Sequence, residues 1–184
     1  YDGTRFAKES DIVTVTINYR LGALGFARIP GAPTSGINGI LDQISALEWV
    51  RNNIESFGGD PNNITIAGES AGAFSVATIM AMNESTGLFQ KAITQSGAGH
   101  HVLSQQEAES AGEMFMTALS ANSLQDAQHK DIHEVLAAQK YVEENAHEVM
   151  DKGQLPFYPS ITNGYLEDHP IALFSKGVSS NIPV

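Results

Sequence analysis

Ile64-Thr65-Ile66-Ala67-Gly68-Glu69-Ser70-Ala71-Gly72 is the stretch that decides the fold. Its first four residues form a short β-branched run of buried-strand type, and it ends on G-E-S-A-G. Beyond it, Ala71 to Met82 is small and apolar with almost no breakers, as a packed helix requires. A strand that turns at once into a helix crowds its own backbone, so Gly68 and Gly72 are both expected where a side chain would collide. The same bend forces Ser70 into a sparsely populated backbone region, a strain of about 1–3 kcal/mol that folded contacts must offset. This is the geometry of a G-x-S-x-G nucleophile elbow, which presents a serine hydroxyl to a pocket. The adjoining helix start has free backbone N–H groups and the positive end of the helix dipole. The N–H of Ala71 is therefore the natural donor to a developing oxyanion. Five residues of this kind also arise by chance, and a plain strand–turn–helix corner would read the same way.

Working outward, Asp11 to Tyr19 (D-I-V-T-V-T-I-N-Y) is β-branched and apolar and is expected to be a central strand. Leu21 to Gly36 is punctuated by Gly22, Gly25, Pro30, Gly31 and Pro33, lacks periodicity, and reads as a loop. Asn38 to Phe57 places Ile40, Leu41, Ile44, Leu47, Trp49, Val50 and Ile54 close to helical spacing. Gly58-Gly59-Asp60-Pro61 stops that helix, and Lys91 to Ser96 is a third strand ended by Gly97-Ala98-Gly99. Alternating strand and helix predicts an α/β fold with a parallel sheet and helices on its faces. Gln105 to Val149 is helix-forming, and Leu155 to Val184 reads as short strands and turns. The chain thus divides into a sheet segment with the elbow (1–100), a helical, lid-like segment (101–155) and a strand-and-turn segment (156–184).

The 184 residues suffice for one domain with a real core, and 42% hydrophobic with 17% charged is ordinary globular material. A formal charge of -11, most of it beyond residue 100, argues against nucleic-acid binding, which needs a basic face. The most apolar stretch, Ile64 to Met82, carries Glu69 and small polar residues and is a core segment rather than a bilayer span. The absence of cysteine suits a cytoplasmic, bacterial location, with secretion left open because the first residue is Tyr1. No cofactor or metal is expected.

Taken together, these motifs resemble those of the type-B carboxylesterases, the cholinesterase-type α/β-hydrolases, and among them the bacterial para-nitrobenzyl esterases. The resemblance rests on Asn18-Tyr19-Arg20-Leu21-Gly22 with Gly25-Phe26, and on Asn38-Gly39-Ile40-Leu41-Asp42-Gln43. It continues through Ala46-Leu47-Glu48-Trp49-Val50 and Phe57-Gly58-Gly59-Asp60-Pro61 into the elbow, then Leu88-Phe89 and Gln95-Ser96-Gly97. It implies hydrolysis of short-chain acyl or aryl carboxylic esters through an acyl-enzyme on a partial α/β-hydrolase fold. Ser70 is then the nucleophile and Ala71 an oxyanion donor, while Glu69 and Ser96 match positions that support the triad from behind. The resemblance also implies a catalytic acid, a catalytic histidine and a His-Gly-Gly-Gly oxyanion segment, none of which falls in this chain. The expected partners are an ester substrate and the remainder of the same esterase. A non-catalytic cholinesterase-like binding domain is the alternative, against which the intact elbow speaks.

Six histidines follow Ser70, so an internal triad has to be weighed. His100 and His101 come directly after the third strand, where functional residues gather, and could line the pocket. As a base, either would precede any acid, reversing the chain order of the fold. His129, His133 and His147 lie in the acidic helical region, where pairing with Asp126, Asp131 and Glu134 on a solvated surface competes with catalysis. The His129/His133 spacing lacks a third metal ligand. Phe115 with Met114 and Met116 reads as an apolar pocket wall or, more simply, a core stripe. A serine without its base loses on the order of a million-fold in turnover, so the chain alone is expected to be nearly inert.

Overall fold

A computed structural model describes residues 2–148, 150 and 155–184. Helices α1 (Thr4–Ser10) and α2 (Gly22–Phe26) precede α3 (Asn38–Asn53), which tightens into a 3-10 turn over Ile54–Phe57. Strand β1 (Thr65–Glu69) runs into α4 (Ala71–Met80), and β2 (Lys91–Gln95) returns beside β1. Helices α5 (Gln105–Ala118), α6 (Leu124–Gln128), α7 (Ile132–Asn145) and α8 (Pro170–Ser175) follow. The strands pair in parallel, from Thr65 opposite Lys91 to Glu69 opposite Gln95, and α4 packs across both. This is the strand–helix–strand unit that the alternating pattern predicts.

Helix α4 is buried along most of its length, at Ala73 and from Ser75 to Met80, because it lies between the sheet and α3. Its polar side chains are satisfied in place. The Thr78 hydroxyl donates to the Phe74 carbonyl at 2.8 Å, and Ser75 Oγ accepts from Gln43 Nε2 of α3 at 3.2 Å. Around this contact sit Ile37, Ile40, Ile44, Ile66, Val76, Ile79, Phe89 and Leu166, the main core. A second cluster joins α2, α5 and α7 through Ala23, Phe115, Met116, Leu119, Val135 and Val142, which makes the Met114–Met116 region a core stripe. Trp49 is instead half exposed, tilted against Phe57 at 6.1 Å.

Three expectations are corrected. Asp11 to Tyr19 forms no strand, and Ile12, Val13, Val15 and Ile17 are 40–50% exposed. A strand exists only through its ladder, and among the described residues none pairs with this segment. What anchors it is Arg20, whose guanidinium meets Asp42 of α3 with two bonds of 2.7 Å while its backbone N–H donates to the same carboxylate. The loop expected over Leu21 to Gly36 contains α2, whose Ala23 N–H donates to Gln139 Oε1 of α7. Packing on α3 and α7 outweighs the low helix propensity of Gly22 and Gly25. The strands expected beyond Leu155 reduce to bridges at Ser160 and between Thr162 and Leu166, and Pro170 begins α8 as a first-turn proline.

The helical stretch after β2 is as expected through Asn145, with capping boxes Ser104/Glu107 on α5 and Asp131/Glu134 on α7. Its end at Val149, and residues 151–154 before the expected boundary at 155, lie outside the described residues. Close to the chain's end, the Pro183 carbonyl accepts from the N–H of Ala92 on the side of β2 away from β1.

Candidate active site

Between β1 and α4 the backbone turns on one residue. Ser70 has φ 51° and ψ -115°, a conformation that an L-residue seldom adopts. Two backbone bonds hold it there: its N–H donates to the Gln95 carbonyl at 2.9 Å, and its carbonyl accepts from Phe74 N–H at 3.1 Å. The first of these ties the bend to the end of β2, and the second closes the first turn of α4. Ser70 is exposed, and its side chain makes no capping bond to the helix. The N–H groups of Ala71, Gly72 and Ala73 at the helix start have no carbonyl within α4 to bond.

Gly68 is sterically required. A Cβ there would lie 2.2 Å from the carbonyl carbon and oxygen of Gly72 and 2.7 Å from the nitrogen of Ala73. Gly72 is not, which corrects the symmetric expectation: a Cβ at Gly72 would meet nothing within 4 Å. The crowding is one-sided because the Gly72 backbone presses on position 68 while its own Cα–H points into open space.

Beside the elbow, Glu69 ends β1 opposite Gln95, and Ser96 follows β2 with φ 57°. Both are exposed. A Cβ on Gly97 would come within 2.7 Å of Ala73 Cβ and 2.8 Å of the Phe74 ring, so the ends of β2 and α4 are in close contact.

The histidine pair after β2 lies beside the start of α4. His101 stacks on Phe74 with centroids 3.9 Å apart and planes at 25°, and Tyr158 meets its ring edge-on at 5.5 Å. His100 is exposed, 6.1 Å from His101. His101 Nδ1 is buried with no hydrogen-bond partner among the described residues. Among the described residues no carboxylate meets that nitrogen. Burial pushes the Tyr158 hydroxyl above its ordinary value. Phe74 and Tyr158 are the residues that sequence reasoning missed. Phe74 carried a signal in its four-residue spacing from Ser70, whereas nothing local marks Tyr158.

The acidic helical region is structural, though not through the ion pairs expected. Asp126 accepts from the Asn122 N–H, Asp131 from His133 N–H, and Glu134 from Asp131 N–H, so these carboxylates cap helix starts. His129 Nδ1 lies 2.7 Å from the Gln125 carbonyl. Among the described residues no group of three metal-ligating side chains gathers, and no helix is long and apolar enough to cross a membrane.

Comparison with known proteins agrees with this geometry. A model described as the carboxylesterase family matches residues 1–184. The para-nitrobenzyl esterase of Bacillus subtilis (strain 168) is 38% identical over 189 residues, covering 100% of this chain and 38% of that protein. The acetylcholinesterase of Myxine glutinosa is 36% identical over 97% of this chain and 54% of its own length. A solved structure of a thermophilic PNB esterase matches with a TM-score of 0.91 at 37% identity, over 100% of this chain and 38% of that one. With a strained serine between a parallel strand and a buried helix, and a match along its whole length, the chain belongs to the carboxylesterase family and carries part of the α/β-hydrolase fold.

Proposed function

We propose that this chain supplies the nucleophile and one oxyanion donor of a serine carboxylesterase acting on short-chain acyl or aryl esters. The observation that carries the reading is Ser70 itself, exposed and held at φ 51° at the start of α4, where the first N–H groups have no partner carbonyl within the helix. In this mechanism Ser70 Oγ attacks the ester carbonyl carbon while a histidine outside this chain takes its proton. The carbonyl oxygen, now an anion, accepts from the Ala71 N–H, and the helix dipole favours it. Collapse of that intermediate breaks the bond to the alcohol, which leaves with the proton. Water then attacks the acyl-enzyme in the same way and frees Ser70. Glu69 and Ser96, at the ends of the two strands, support the elbow from behind.

The base, the acid and the second oxyanion segment come from the remainder of the polypeptide, without which the 184 residues are nearly inert. The chain's 38% share of its Bacillus relative and the uncovered apolar segment from Ile12 to Ile17 support this. An organophosphonate applied to the full-length protein tests the reading. Ser70 should carry the label, and Ser70→Ala should lose both label and esterase turnover. Labelling at another serine, with turnover intact in Ser70→Ala, would refute it.

A further inference from the structure

The rings beside the elbow are arranged in a way that the hydrolytic steps do not use. Phe74 stands one turn beyond Ser70 on α4, and its ring lies over Gly97 at the end of β2 where Ser96 also sits. It is therefore at the nucleophile's end of the sheet. His101 stacks on it and Tyr158 closes the edge of His101, and all three rings are half-buried, leaving part of each surface open. His101 is held in ring contacts with Phe74 and Tyr158, and its buried Nδ1 has no partner among the described residues. An imidazole stacked in that way presents a flat ring surface. Flat rings gain from offset or edge-on contact with such a face, a gain that a flexible alkyl chain does not share.

We propose that Phe74, His101 and Tyr158 form a specificity wall that seats a planar aryl group of the ester, with Phe74 and His101 as its determining residues. The inference rests on the esterase reading above and narrows its substrate class. Its test compares kcat/KM in the full-length protein for vinyl benzoate (aryl on the acyl side), phenyl acetate (aryl on the alcohol side) and vinyl butyrate (no aryl group). His101→Ala and Phe74→Leu should each lower the aryl-to-alkyl ratio about two- to tenfold, the span of one aromatic contact, for whichever aryl ester uses the wall. His101→Phe should keep the ratio. The wall is refuted if the ratio is unchanged in both ring-removing variants, if all three esters decline equally, or if His101→Phe loses as much as His101→Ala. Failure of the underlying reading looks different: the unaltered protein would hydrolyse none of the esters, or Ser70→Ala would still turn them over, and the wall would fall with it.

Discussion

Ser70 and Ser96 leave adjacent parallel strands one residue beyond the last register pair, Glu69 and Gln95, and both do so with left-handed φ, 51° and 57°. The N–H of Ser70 donates across the gap to Gln95, the residue before Ser96. The sheet therefore ends in a matched pair of reversals, one feeding a helix and the other a loop.

Strain at the first reversal separates activity from stability. Ser70→Ala and Ser70→Gly should both abolish turnover, with a loss on the order of a million-fold. Only glycine relieves the left-handed backbone, so Ser70→Gly should be more stable than Ser70→Ala by about 1 kcal/mol. Thermal unfolding of the two full-length variants measures the difference. Equal melting temperatures would mean that the bend stores no strain.

The two elbow glycines should behave oppositely. Gly68→Ala drives a methyl into the Gly72 backbone and should cost about 3 kcal/mol or more, or prevent folding. Gly72→Ala meets open space inside a helix and should be neutral or stabilising by up to about 1 kcal/mol. Denaturant midpoints of the pair decide the point, and a large loss in Gly72→Ala would contradict the one-sided crowding.

Acid should weaken the Arg20–Asp42 anchor. The hydrogen-bonded Arg20 guanidinium holds the Asp42 carboxyl below its ordinary value. The unfolded chain therefore binds this proton more readily than the folded one. The stabilisation is complete above the unfolded value of about 3.9 and is lost as the pH falls through the lower folded value. Since the Arg20 side chain is half exposed, Asp42→Asn should cost no more than about 1 kcal/mol at pH 7, and less in high salt. The gap between wild type and Asp42→Asn should close as the pH falls below about 3.9, followed by urea unfolding at stepped pH. A gap that widened on acidification would reverse the assigned sign.

The uncovered segment predicts how the 184 residues behave alone. Val13, Val15 and Ile17 present alternate apolar side chains with no ladder partner among the described residues, an invitation to pair with other chains. Val13→Lys with Val15→Lys should shift the isolated chain from aggregate toward monomer by light scattering, and should destabilise the full-length protein. If the isolated chain is already monomeric without the substitutions, the segment is not the adhesive surface inferred here.

What could be read from sequence was what is decided locally. The Gly68–Ser70 corner follows from the sterics of a few adjacent residues, and α3 from an apolar period along its own length. Asp11 to Tyr19 has strand-like residues, but a strand requires a partner, and composition does not say where the partner lies. Helix α2 was hidden for the same reason, since Gln139, more than a hundred residues away, receives the N–H of Ala23 in its first turn. The stretch from Leu155 read as short strands and turns, yet a proline such as Pro170 also suits the first turn of a helix. Ring stacking between Phe74, His101 and Tyr158 joins three separate parts of the chain, so only the fold could reveal it.

The strand–helix–strand unit from Thr65 to Gln95 also bears on the order of folding. Its contacts close over short loops, so the entropy lost in forming it is small beside that of pairings that reach across the chain. The bend at Ser70 is fastened within that unit, by Gln95 on one side and Phe74 on the other. The reactive geometry can thus be set early, before the remote segments that would make use of it arrive.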